Sequence, residues 1–171
     1  TCVEPDPSET VGVRAIKKQK KHYGLANLKV QQSIIETSNL GPSNFDLAYA
    51  RQSMHHAKDL HKFVVSMANS LKPGGLFLTV RDHVIYDEKD KELFLKSHPL
   101  QKFYGGENAF TDKEYRKAIF SSGLKLKLVL KFCDSVINYY PLNKDRIFNK
   151  GIQLKESKVP GRMYSYIAIK E

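Results

Sequence analysis

The sequence is poor in the features that would set it apart from ordinary globular proteins. Only two of its 171 residues are cysteines, Cys2 and Cys133. They stand far apart and fit no CxxC or Cys/His spacing, so neither a disulfide framework nor a cysteine-based metal site is expected. Reduced thiols in a cytoplasmic protein are the expectation, with a single Cys2–Cys133 bridge as the alternative. No apolar run approaches the roughly 18 residues that would cross a membrane. The first residues, TCVEPDPSET, are acidic and proline-containing rather than basic and then apolar, unlike a secretory signal. The chain opens on Thr1 and not on Met, so further residues are expected upstream. Internal repeats and low-complexity stretches are absent too.

What remains is a chain long enough to bury roughly 70% of its unfolded surface as one domain. Its composition, 41% hydrophobic and 11% aromatic, is that of a globular protein. A net charge of +10 invites a nucleic-acid reading. The excess is mostly lysine, however, spread from Lys17 to Lys170, and no RNP, zinc-finger or helix-turn-helix pattern accompanies it. The densest cluster, KKQKKH at 17–22, is expected on a solvated helix face, with an anionic-surface contact as the alternative. Nucleic acid is therefore not the expected partner.

Segments of period 2 and period 3.6 alternate, the mark of an α/β protein. Residues 1–4 end a strand, and a helix is predicted from Ser8, as N-cap, to about Tyr23, with Gly24 beyond it. LKVQQSI at 28–34 and FDLAYA at 45–50 read as strands. The clearest helix covers 58–71, where Leu60, Phe63, Val64, Met67, Ala68 and Leu71 form one apolar stripe. Lys72 suits the negative end of that helix and Pro73 stops it. Gly74 and Gly75 permit a tight turn, and LFLTV reads as a buried strand. DEKDKELFLKSHP predicts a helix. Thr111-Asp112-Lys113-Glu114 is a capping box that opens another, to about Ser122. LKLKLVLKFC and RMYSYIAIK are strands, with a short helix expected over 141–150 and Cys133 in the strand core.

The junction LKPGG at 71–75, the motif FDLAYARQSMHH at 45–56 and the acidic strand end VEPD at 3–6 together resemble the class I S-adenosylmethionine-dependent methyltransferases of the small-molecule type. The likeness extends along nearly the whole chain. A narrower one, in RDHVIYDEKDKELFLKSHPLQKFYGGENAFTDKEY, is to a bacterial methyltransferase-domain subgroup and names no substrate. The resemblance implies a Rossmann-like sheet in a three-layer αβα arrangement and a single domain over 1–171. Residues 83–111 are expected as a lid or insert over the active site. It also implies a central first strand, a glycine-rich loop and a first helix, for which this chain has no counterpart. An N-terminally truncated fold is thus expected, in which the strand at Thr1–Glu4 and the strand at Phe45–Ala50 face a gap one strand wide. A homodimer or a rearranged edge is the expected closure.

The resemblance further implies S-adenosyl-L-methionine as cofactor in the complete enzyme. A carboxylate at the end of a strand can take both ribose hydroxyls in charge-assisted hydrogen bonds. Glu4 is the candidate, with Asp6 second. Ser33 stands where many members carry an aspartate for the adenine amino group, Ile34 can pack on the ring, and Ala50 and Arg51 complete the cofactor set. Methyl transfer needs an aligned acceptor and, for a hydroxyl or amine, a base. His55, His56 and His83 follow the ends of two adjacent strands and are the catalytic candidates. Arg51 or Arg81 can hold an anionic acceptor. Tyr104, Glu107 and Asn108, with Gly105 and Gly106 between, form the expected flexible segment over the mouth.

A nicotinamide-dependent dehydrogenase would need G-x-G-x-x-G, which is absent. An RNA-binding or RNA-modifying protein and a non-catalytic interaction module remain as alternatives to a methyltransferase domain acting on a small molecule. By itself the chain is expected to bind the cofactor weakly and to be inactive or weakly active.

Overall fold

Apolar stripes meet apolar strand faces in a computed structural model that describes residues 1–98, 101, 106–131 and 162–171. The elements in chain order are β1 (Cys2–Glu4), α1 (Val13–His22), β2 (Val30–Gln32), β3 (Phe45–Arg51), α2 (Leu60–Ser70), β4 (Leu71–Ile85), α3 (Glu88–Ser97), β5 (Phe110–Thr111), α4 (Asp112–Ser121), β6 (Leu124–Leu130) and β7 (Arg162–Lys170). Short 3-10 turns occupy Ile35–Thr37 and Met54–His56. Tyr104, Gly105, Cys133 and the helix expected over 141–150 lie outside the described residues.

β1 pairs in parallel with β2 as one small sheet. The larger sheet runs β3-β4-β7-β6, with β5 beside the end of β4. β3 and β4 are parallel, whereas β7 is antiparallel to both β4 and β6. This is the Rossmann-like α/β arrangement the sequence implied. β1 and β3 belong to different sheets, so their edges do not close on each other.

The core lies on one face of the larger sheet. Ala48, Ala50, Phe77, Thr79, Tyr166 and Ala168 are in register across β3, β4 and β7 and are all buried. Phe63, Val64 and Met67 of α2 and Tyr115 and Ile119 of α4 belong to the same buried core. The α2 stripe is thus confirmed, with Phe63 at 6% and Met67 at 8% exposure. Asp59 caps this helix by accepting from the Lys62 amide at 3.0 Å. The Thr111 capping box is present in full on α4.

Four expectations change. The first helix begins at Val13, because Asp6 and Ser8 bend the chain first: Ser8 Oγ accepts from Gly12 N at 3.1 Å, and Asp6 O accepts from Val13 N at 2.7 Å. Among the described residues LFLTV is covered on one face only. Its partner positions on the other, Leu47 opposite Leu76 and Tyr49 opposite Leu78, leave Leu47, Tyr49 and Leu76 about half exposed among the described residues. Lys72 turns from the helix end to an ion pair with Asp46 at 2.9 Å, and Lys170 Nζ serves the helix end instead, donating to Leu71 O at 2.8 Å. The two junction glycines also differ in role. Gly74 has φ +78, which L-residues rarely adopt, whereas a Cβ on Gly75 would lie 2.9 Å from Lys72 O and 3.2 Å from Phe45 O.

The KKQKKH cluster lies on α1 with Lys17, Lys18, Lys21 and His22 exposed, and its last turn is basic, as the helix dipole favours. No described helix is long and apolar enough to cross a membrane.

Candidate functional site

Between β1 and β3, where the sequence implies a gap one strand wide, lies a cleft of about 480 Å³. Thr1–Pro5 form one wall and Phe45 with Leu47–Ala50 the other, while Phe63, Met67 and Ser70 of α2 also line it. At the carboxyl ends of the strands, where open α/β sheets bind ligands, it is lined by Glu4, Ser33, Ile34, Ala50, Ser53 and His56.

Four of the six cofactor candidates therefore share this cleft: Glu4, Ser33, Ile34 and Ala50. Glu4 is oriented by the Asp6 amide, which donates to Oε1 at 2.9 Å. Asp6 and Arg51 are not part of the lining. Asp6 binds the Ser8 amide and hydroxyl, both at 2.8 Å, and so shapes the turn after β1. The walls are mostly apolar, with Ile34 exposed at the rim and Ala50 buried.

The histidine candidates come together, and His56 among them lines this cleft. The His55 and His56 rings lie 4.1 Å apart and the His55 and His83 rings 4.7 Å apart. His98 joins them, 5.7 Å from His83, although no sequence signal marked it. Glu107 is the carboxylate of the group. Its Oε2 is 3.3 Å from His56 Nδ1 and 3.6 Å from His55 Nε2, and its Oε1 is 3.9 Å from His98 Nδ1. The side chains of His55 and Glu107 are each 3% exposed, that of His56 43%. Burial pushes the His56 imidazole below the usual histidine range. Asn108 Nδ2 reaches Ala57 O at 3.4 Å, tying the 106–109 segment to the turn after β3.

The organiser of the cluster is Asp82, which the sequence did not single out. It is fully buried, and Oδ1 accepts from the amides of Ser53, Met54 and His55 at 3.1, 2.8 and 3.3 Å. The same oxygen is 3.2 Å from His55 Nδ1, and Oδ2 accepts the Thr79 hydroxyl. Asp82 faces inward because the β4–β7 ladder slips between Thr79 and Asp82, where Arg81 adopts φ +61. Such a bulge shifts the alternation by one residue. Arg81 is held by its amide to Ser165 Oγ at 3.2 Å and by a guanidinium nitrogen 3.7 Å from Met163 sulfur.

Residues 1–79 match the methyltransferase domain family. Over 86 residues, 46% of its length, the chain is 33% identical to the "uncharacterized methyltransferase YcgJ" of Bacillus subtilis, of which it spans only 34%. The crystal structure of YcgJ superposes with a TM-score of 0.67 at 18% identity, over 99% of this chain and 81% of that one. A geranyl diphosphate methyltransferase in complex with SAM superposes with a TM-score of 0.71 at 12% identity, over 99% and 67%. At such identities the superpositions establish the fold alone, and the family match is confined to residues 1–79. Residues 1–79 are thus similar to the methyltransferase domain family, and the described fold is that of the solved methyltransferase structures it superposes on.

Proposed function

We propose that the chain is a methyltransferase domain whose cofactor lies in the cleft between β1 and β3, and that the methyl acceptor is a small molecule. The observation that carries this reading is the placing of Glu4 beside Ser33, Ile34 and Ala50 at the carboxyl ends of parallel strands. The donor set fits a nucleoside: a carboxylate for two hydroxyls and apolar walls for a base. Bound there, S-adenosylmethionine would supply a methyl group on a sulfonium centre. Glu4 would bind the ribose, and Ile34 and Ala50 would enclose the base. An acceptor beside the cofactor would meet the histidine cluster through His56, the cluster residue that also lines the cleft.

Among the described residues no glycine-rich strand-to-helix turn borders this cleft, and Glu4 is the charged group proposed to grip the nucleoside. One charge-assisted hydrogen bond contributes about 1.5–3 kcal/mol, which corresponds to binding no tighter than about the millimolar range. The test is an NMR titration of the chain with S-adenosylmethionine and S-adenosylhomocysteine. The expected result is millimolar binding that shifts the amides of Glu4, Ile34 and Ala50 and disappears in Glu4→Ala. Micromolar binding that survives Glu4→Ala, or shifts confined to other surfaces, would sink the assignment.

A further inference from the structure

We propose that His55, His56 and Glu107 form a binding site for a divalent first-row transition metal, Zn2+ by ligand chemistry, with one coordination position left open. The inference goes beyond methyl transfer, and its test needs no cofactor.

Spacing is the first argument. One ring nitrogen each of His55 and His56 and a Glu107 carboxylate oxygen all lie within 4.8 Å of one another. Two of the separations are 3.3 and 3.6 Å. Zinc–nitrogen bonds of about 2.0–2.1 Å place the ligand atoms of a tetrahedral site about 3.3–3.4 Å apart. Two imidazoles and one carboxylate with an open fourth place are a ligand set of catalytic zinc.

The proton positions are the second. Asp82 Oδ1, which only accepts, draws the proton of His55 onto Nδ1 at 3.2 Å. Nε2 then carries a lone pair and faces Glu107 Oε2, another acceptor, with both side chains 3% exposed. Two acceptors aimed at each other in a buried site repel unless a cation lies between them. Asp82–His55–cation is the arrangement in which a carboxylate orients a metal-binding imidazole.

Glu107 is the third. Its Oε2 is buried and has no hydrogen-bond partner among the described residues, although two imidazole nitrogens point toward it. A buried carboxylate oxygen is rarely left in this way without a counter-charge. Because His56 lines the cleft as well, a metal held here borders the space proposed for the acceptor.

The experiment is a Zn2+ titration of the chelator-treated chain by calorimetry, followed by Co2+ substitution read from visible absorption. One metal per chain at micromolar affinity or tighter is expected, with the intense bands of low-coordinate Co2+. Glu107→Gln, which keeps the shape, and His56→Gln should each weaken binding by at least about 100-fold, and Asp82→Asn by about 10–100-fold. His61→Gln, an exposed histidine on α2, should bind as the parent does. Circular dichroism of each variant separates lost binding from lost folding, and 15N shifts of His55 in the folded parent report Nε2 ligation without any substitution. Sub-stoichiometric metal in the parent would overturn the proposal and leave the cluster as a buried imidazolium–carboxylate pair. Co2+ bands that persist in Glu107→Gln would overturn it equally.

Discussion

Asp82 Oδ1 lies 3.2 Å from His55 Nδ1 while accepting the backbone amides of Ser53, Met54 and His55. One fully buried oxygen thus fixes both the turn that follows β3 and the ring that the turn carries. Removing one partner of a buried, paired charge costs about 3–5 kcal/mol. Asp82→Ala is expected to lower stability by that amount in urea denaturation. An unchanged midpoint would show that the turn holds without it.

The α2 stripe offers an independent check. Phe63 is 6% exposed and packs in the main core, so Phe63→Ala is expected to cost about 3–5 kcal/mol. Thermal unfolding of parent and variant at equal temperature would remove the stripe as a source of stability.

The two junction glycines should respond differently to the same residue. A side chain at Gly74 meets nothing within 4 Å and suffers only from the positive φ. Asn tolerates that region better than most residues, so Gly74→Asn should be milder than Gly74→Val. At Gly75 a Cβ would press on two backbone oxygens, and every substitution should destabilise, by about 1–3 kcal/mol. Equal losses for Asn and Val at Gly74, with Gly75→Ala neutral, would reverse these roles.

Tyr166 sets an alkaline limit. Burial, with Asp112 accepting its hydroxyl at 2.9 Å, raises this phenol far above the ordinary tyrosine range, and burial raises Tyr115 as well. Both are protonated in the fold where the unfolded chain would ionise. Their contribution is therefore complete below about pH 10 and is lost as pH rises beyond it. Ultraviolet titration should show these two phenols ionising only with unfolding, and Tyr166→Phe should flatten the alkaline limb of the stability curve. Ionisation of all tyrosines before unfolding would contradict this.

The N-cap of α2 sets the acid counterpart. The Lys62 amide holds the Asp59 carboxyl below its ordinary range. Its contribution is present above about pH 3.9 and fades as pH falls through the lowered value. Asp59→Asn, which keeps an acceptor but cannot titrate, should remove that part of the acid slope.

The sequence by itself determined the elements whose apolar pattern is local. Leu60, Phe63, Val64 and Met67 recur at helical spacing, and Thr111 and Glu114 cap a helix across a single turn. LKPGG marks the passage from α2 to β4 because helix end, turn and strand each need a residue type found there. Gathering Glu4, Ser33, Ile34 and Ala50 at one cleft was also legible, since each stands at or near a strand end.

Tertiary structure decided which polar residues became partners. Strict alternation from Phe77 and Thr79 would have turned Arg81 and His83 inward and Asp82 out. The bulge reverses this, so that Asp82 and Val84 are the buried residues. Nothing local in RDH encodes that slip, because it depends on how β7 pairs across from β4. Glu107 likewise reaches His55, and His98 reaches Glu107, only when the segment after β4 folds back over the turn. Lys170 caps α2 from the far end of the chain. Apolar periodicity records what each residue avoids, namely water, and that can be read from near neighbours. A polar side chain is satisfied by solvent or by any complementary group, and only the folded chain selects which one it meets.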